Sequence, residues 1–219
     1  MEETGGAVFQ DVNTAISSKR YWAALAPYAA LAISFFILHN AWIALVSFHL
    51  SMLAFIFLNR SRISWRANFK SGNYKIYIIN TVMGAAAIVF YFLRPLWGLD
   101  QDVQPILKSI GLSQGNYLYL LAYFVVVNPW IEEYFWRGYL GNAAKGITPG
   151  DLLFAGYHVM LLATVIGAIW LIPAFIILFS AAWFWRQCDR WSQGLGASIL
   201  SHIAADAAIS VVLILMIIR

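Results

Sequence analysis

Apolar residues run through this chain in long, nearly unbroken stretches, and short polar connectors separate them. Stretches of that length are what helices need to cross a hydrocarbon core roughly 30 Å thick. They fall near Tyr21–Leu38, Trp42–Leu58, Ile76–Leu93, Tyr117–Leu140, Leu152–Trp170, Leu171–Trp185 and Leu195–Ile218. The pattern predicts an all-α fold, a polytopic transmembrane helix bundle of about seven spans within a range of six to eight. Residues Leu152 to Trp185 are too long for one crossing at 1.5 Å per residue, and Pro173 falls where a hairpin would reverse them.

Composition strengthens this picture and removes alternatives. The 219 residues are 62% hydrophobic and 11% charged, whereas soluble domains carry roughly 25% charged residues. With no soluble fold able to hide that surface, residues 1–219 are expected to form one membrane-embedded domain behind a polar tail, residues 1–20. Met1 to Ser18 lack a basic region leading into a short apolar core, so the first span is expected to remain as a signal anchor. The net charge of +4 comes from basic residues in connectors, where they act as topology signals, and nucleic-acid binding is disfavoured.

Arg60, Arg62, Arg66, Lys70 and Lys75 follow the second apolar stretch, against Asp100, Asp102 and Lys108 after the third. By the positive-inside rule the first connector is cytoplasmic. Counting crossings puts the N-terminus and the Gly138–Asp151 and Arg186–Arg190 connectors inside and the C-terminus outside, as for a multi-pass protein of the cell (inner) membrane. The single cysteine, Cys188, excludes an intrachain disulfide framework and lacks the neighbours of a thiol nucleophile.

Ionisable groups inside the bilayer are costly, so each needs a partner, a wet cavity or a job. Of the ten acidic residues, only Glu132, Glu133 and Asp206 fall well inside predicted spans, with Arg137, His158 and His202. Glu132 lies eight residues before Leu140, His158 seven after Asp151 and His202 seven after Leu195. At 1.5 Å per residue each sits roughly 10–12 Å from the cytoplasmic ends, so three helices deliver titratable groups to one level. His49, in the second span, reads instead as a lone histidine making a packing hydrogen bond.

Spacing within each helix suggests roles. Glu133 and Arg137 are four apart and can pair, leaving Glu132 to face elsewhere as a general base, though the two glutamates could exchange these roles. His202 and Asp206 share a stripe, with Gly194, Gly196 and Ala197 allowing close helix approach below them. Pro129, three residues before Glu132, is placed to kink the helix and open space for water.

Three motifs resemble the CPBP (ABI) family of intramembrane glutamic proteases, which includes the type II CAAX prenyl endopeptidases. Glu132-Glu133-Tyr134-Phe135-Trp136-Arg137 is similar to EExxxR, Phe154-Ala155-Gly156-Tyr157-His158 to FxxxH, and His202-Ile203-Ala204-Ala205-Asp206 to HxxxN/D. Each pattern alone is weak, but their order over Asn128 to Asp206, each in an apolar stretch, is specific, and residues 117–206 form the motif-bearing core. Asp206 stands where many members have asparagine, and an aspartate donates a hydrogen bond only when protonated.

The resemblance implies an endopeptidase in which Glu132 activates water with help from His158, while His202 and Asp206 stabilise the oxyanion and Glu133, Arg137 and Phe154 support them. The implied partners are the lipid bilayer, a membrane-associated protein or peptide substrate and other membrane proteins. No cofactor is expected. Zinc is the alternative, disfavoured because a HExxH helix is absent. Two other classes remain open at this level: a noncatalytic membrane subunit or immunity-type binding protein, and a proton-coupled transporter.

Overall fold

The computed structural model describes residues 18–58, 68–69, 74–97, 103–113, 115–141 and 143–218. The tail before Ser18, the basic residues Arg60, Arg62, Arg66 and Lys70, and Asp100 and Asp102 lie outside the described residues. Among the described residues the chain is helical, without strands. A first helical path combines a 3-10 turn, Ser18–Ala24, with α1 (Leu25–Ala32) and a π turn, Ile33–Ile37. It is followed by α2 (Ala41–Leu58), α3 (Tyr74–Ala85), α4 (Val89–Leu93) and a short α5 (Gln104–Ser109). The second half holds α6 (Tyr117–Val126), α7 (Asn128–Glu133), α8 (Pro149–Leu162), α9 (Ala168–Ser192) and α10 (Gly196–Ile217).

Five helical paths among the described residues are long and apolar enough to cross a membrane: Arg20–Ile37, Ala41–Leu58, Tyr74–Leu93, Ala168–Ser192 and Gly196–Ile217. Their outer faces carry exposed Leu50, Phe57, Ile78, Val82, Ile169 and Ile172, which suit contact with lipid tails. The protein is therefore a multi-pass membrane protein. The EExxxR and FxxxH motifs lie on shorter pieces, whereas His202 and Asp206 sit on the 22-residue α10. α8, at 14 residues, measures about 21 Å, short of a full hydrocarbon core.

Pro173 does not make the expected hairpin. The reversal lies at Ala163–Gly167, where Ile166 N–H returns to the Leu162 carbonyl, and Pro173 sits inside α9. Extended backbone at Gly167, with ψ 146°, restarts the chain and decides the turn, whereas the proline only removes one helical donor. A second difference concerns the Arg186–Arg190 connector. Those residues are the last turns of α9, with Arg186, Cys188 and Asp189 buried.

Burial of these charges has a local cause. Arg186 donates from Nε to Asp151 Oδ1 at 2.9 Å and from Nη2 to Asp151 Oδ2 at 2.7 Å, and it also reaches the carbonyls of Ala144 and Gly146. Asp151 is simultaneously the N3 member of the capping box that Thr148 opens at α8. Asp189 Oδ1 accepts the Ser198 N–H at 3.0 Å and so caps the start of α10. At this same end Arg20 donates to the Tyr139 carbonyl and Tyr28 to the Leu153 carbonyl. The opposite end is marked by Ala41 N–H on the Ile110 carbonyl and by Trp97 against Trp170.

α3 and α10 pack most intimately. A Cβ at Gly84 would fall on the Ser201 carbonyl, so only glycine permits this approach, and Ser201 Oγ then donates to the Asn80 carbonyl at 2.7 Å. Ser201 precedes His202, so the crossing fixes the height of that histidine. Gly196 meets the Asn68 carbonyl and the Phe69 ring in the same way.

Candidate functional site

The two consecutive glutamates are positioned by an interrupted helix. Pro129 has no N–H for the Val125 carbonyl, and the helical path is interrupted at Val127 (φ −104°, ψ −44°), where α6 gives way to α7. Beyond Glu133 the backbone widens into a π turn, Tyr134–Tyr139, closed by Leu140 N–H on the Phe135 carbonyl at 2.8 Å. Adjacent helical side chains diverge by about 100°. Glu133 accordingly meets α10 while Glu132 meets α8, and both are buried, at 0% and 2% exposure.

Glu132 Oε2 accepts a short hydrogen bond from the hydroxyl of Tyr157, which also lies 3.1 Å from His158 Nε2. His158 Nδ1–H donates to the Phe154 carbonyl at 2.9 Å, which leaves Nε2 facing the tyrosine. Counting protons is informative here, because the hydroxyl has one hydrogen for two neighbours. With its one hydrogen donated to the Glu132 carboxylate, Tyr157 leaves His158 Nε2 as a free lone pair 3.1 Å from the tyrosine oxygen. A proton that arrives at Glu132 can therefore pass through the hydroxyl to His158 Nε2 in one concerted hop.

Glu133 anchors the other arm. Its Oε1 accepts from Arg137 Nη1 at 3.1 Å and lies 2.7 Å from His202 Nδ1, whose Nε2 faces Asp206 Oδ1 at 3.5 Å. His202 is thus held between two carboxylates and is within electrostatic reach of Glu132. Arg137 stacks over Phe154 at 3.9 Å and lies 5.2 Å from the Trp185 ring centre. Phe154 also touches His158, with ring centres 4.5 Å apart, and His202, at 6.1 Å. It is the hydrophobic wall common to both histidines and the arginine.

The structure brings Glu132, Glu133, Arg137, Phe154, His202 and Asp206, all buried, and the partly buried His158 into one cluster. Sequence reasoning missed Tyr157, which stands between Glu132 and His158, and Asn128, whose Nδ2 donates to Asp206 Oδ2 at 3.0 Å. It also read His49 as separate, whereas His49 Nε2 contacts Asn128 Oδ1 at 2.9 Å and so extends the cluster into α2. A usable signal existed for Asn128, which lies four residues before Glu132 and shares its helix face. For His49 none did, because only the packing of α2 against α7 brings it near.

No three His, Cys, Asp or Glu side chains among the described residues converge as a metal-ion ligand set. The guanidinium of Arg137 already occupies the charge-neutralising position beside Glu133. A cation placed there would meet an existing positive charge.

Comparison with known proteins bears on this cluster. Residues 114–208 match the family model described as type II CAAX prenyl endopeptidase Rce1-like. Over those residues the chain is similar to the Rce1-like family. All three motifs fall inside the Rce1-like segment, as do Tyr157 and Asn128, whereas His49 lies outside it. Neither curated proteins nor solved structures give a match.

Proposed function

We propose that this protein is an intramembrane endopeptidase that hydrolyses a peptide bond of a membrane-associated protein or peptide, in the manner of CAAX processing. The observation that carries the reading is the hydrogen-bonded row Glu132–Tyr157–His158, set beside His202 and Arg137. Hydrolysis needs a group that takes a proton from water and later returns one. Glu132 removes the proton as the water oxygen attacks the carbonyl carbon, and His158 buffers it through the tyrosine hydroxyl. On collapse the C–N bond breaks and the proton passes to the leaving nitrogen. His202 faces the developing oxyanion, where a low-dielectric setting makes a charged donor most effective, and Asp206 and Glu133 hold its ring.

In this reading residues 1–219 act as one membrane domain with the chemistry in 117–206, zinc is not required, and the N-terminus lies in the cytoplasm of a cell whose inner membrane holds the protein. The test compares membranes carrying wild-type protein with those carrying Glu132→Gln or His158→Ala at equal expression, reading new protein termini by mass spectrometry. Termini that depend on both residues support the proposal. Identical termini in all three reject it.

A second reading, a noncatalytic membrane subunit that keeps the fold, draws on one observation. The Tyr157 hydroxyl fills the space between Glu132 and His158 that an attacking water would use. Wild-type biological function in a Glu132→Gln, His202→Ala double variant would favour it.

A further inference from the structure

Asp206 presents a charge problem for the chemistry just proposed, because a carboxylate beside a developing oxyanion opposes it. The hydrogen bonds around it suggest a solution. Asp206 Oδ2 accepts from Asn128 Nδ2 at 3.0 Å, and Oδ1 faces His202 Nε2 at 3.5 Å. Both oxygens thus face donors, and Asp206 serves as an acceptor and charge partner. Asn128 is a neutral donor at 1% exposure, one helical turn before Glu132 on the same α7. Its amide carries two N–H bonds, of which Asp206 engages one.

The orientation of that amide is not arbitrary. Asn128 Oδ1 can only accept, so the facing His49 Nε2, 2.9 Å away, carries the proton, and neutral Nδ1 accepts from the Tyr123 hydroxyl at 3.1 Å. A flipped amide would set its oxygen against Asp206 and its N–H against His49, leaving two mismatched pairs. Stacking of the His49 and Tyr123 rings, 5.5 Å between centres, holds the imidazole in place. The chain Tyr123–His49–Asn128–Asp206 therefore fixes an amide donor beside the general base, in a region of α2 and α6 that no motif covers.

We propose that Asn128 is a catalytic residue, its second N–H donating to the oxyanion, and that His49 is a positioning residue acting through it. The inference rests on the protease reading. The test uses full-length protein in lipid nanodiscs and a peptide spanning a cleavage site mapped by the terminus comparison above. Asn128→Ala and Asn128→Asp are expected to lower kcat by about 10²–10³-fold, the usual cost of losing one oxyanion donor, while leaving KM within about threefold. His49→Ala is expected to lose about tenfold in kcat and His49→Gln, which can still donate to Oδ1, to restore it.

If Glu132→Gln is inactive while folded Asn128→Ala keeps kcat within about threefold of wild type, the Asn128 assignment is overturned and the protease reading stands. If Glu132→Gln cleaves like wild type, the protease reading falls and this inference falls with it. Where Asn128→Ala unfolds early in a thermal melt, the His49 pair decides: a kcat lost in folded His49→Ala and restored in His49→Gln supports the donor role, and an unchanged kcat in His49→Ala overturns it.

Discussion

Replacing Arg137 by Met tests whether the buried ion pair organises the site. Arg137 is 3% exposed and its partner Glu133 is 0% exposed, with 3.1 Å between Nη1 and Oε1. Removing one partner of such a pair leaves the other charge buried and unpaired, at a cost of about 3–5 kcal/mol. Loss of the stack on Phe154, 3.9 Å from the guanidinium carbon, adds about 1–2 kcal/mol. His202 stays beside Glu133 at 2.7 Å and offsets part of the loss, so a net of about 3–5 kcal/mol is expected. For a chain of this size that corresponds to a fall of roughly 6–20 °C in the unfolding midpoint. The assay is a thermal melt in detergent micelles, with Glu133→Gln and the double variant alongside. The double variant leaves no unpaired charge, so it should lose less than the sum of the two single changes. An Arg137→Met midpoint within about 2 °C of wild type, or strict additivity in the cycle, would refute the pairing argument.

Other outcomes follow from single contacts. Tyr157→Phe removes the hydroxyl between Glu132 and His158, and cleavage of the mapped peptide should drop by roughly 10²-fold; unchanged cleavage would mean the tyrosine passes no proton. Gly84→Ala should push α3 from α10 and lower stability by about 1–3 kcal/mol, and a melt that does not move would contradict the close approach at Ser201. Asp151→Asn should free the 143–148 connector that Arg186 holds by its carbonyls, and limited proteolysis should then cut there first. Persistent resistance would show that the pair does not pin it.

Much of the architecture was legible because the bilayer imposes a simple rule: backbone polar groups must be satisfied within the span, so long apolar runs become helices. α2 and α10 accordingly begin and end within a residue or two of the apolar stretches from which they were read. The same rule made Glu132, Glu133, Asp206 and the two histidines conspicuous, and the four-residue spacing of Glu133 and Arg137 already implied their pair. Local backbone chemistry was harder to rank. Both Pro129 and Pro173 could interrupt a helix, and the sequence does not say that only the first does.

Tertiary structure alone decided what each polar group touches. Asp189 looks like a connector residue, yet it caps α10 from within the buried end of α9, because two elements meet there. His49 joins Asn128 although 79 residues separate them, and Tyr157 reaches Glu132 across 25. Periodicity specifies which face of one helix is polar, but a hydrogen bond between helices depends on their crossing and height, here set by glycine contacts such as Gly84 on Ser201. The sequence therefore determined which ionisable side chains stand inside apolar helices, and packing determined their partners.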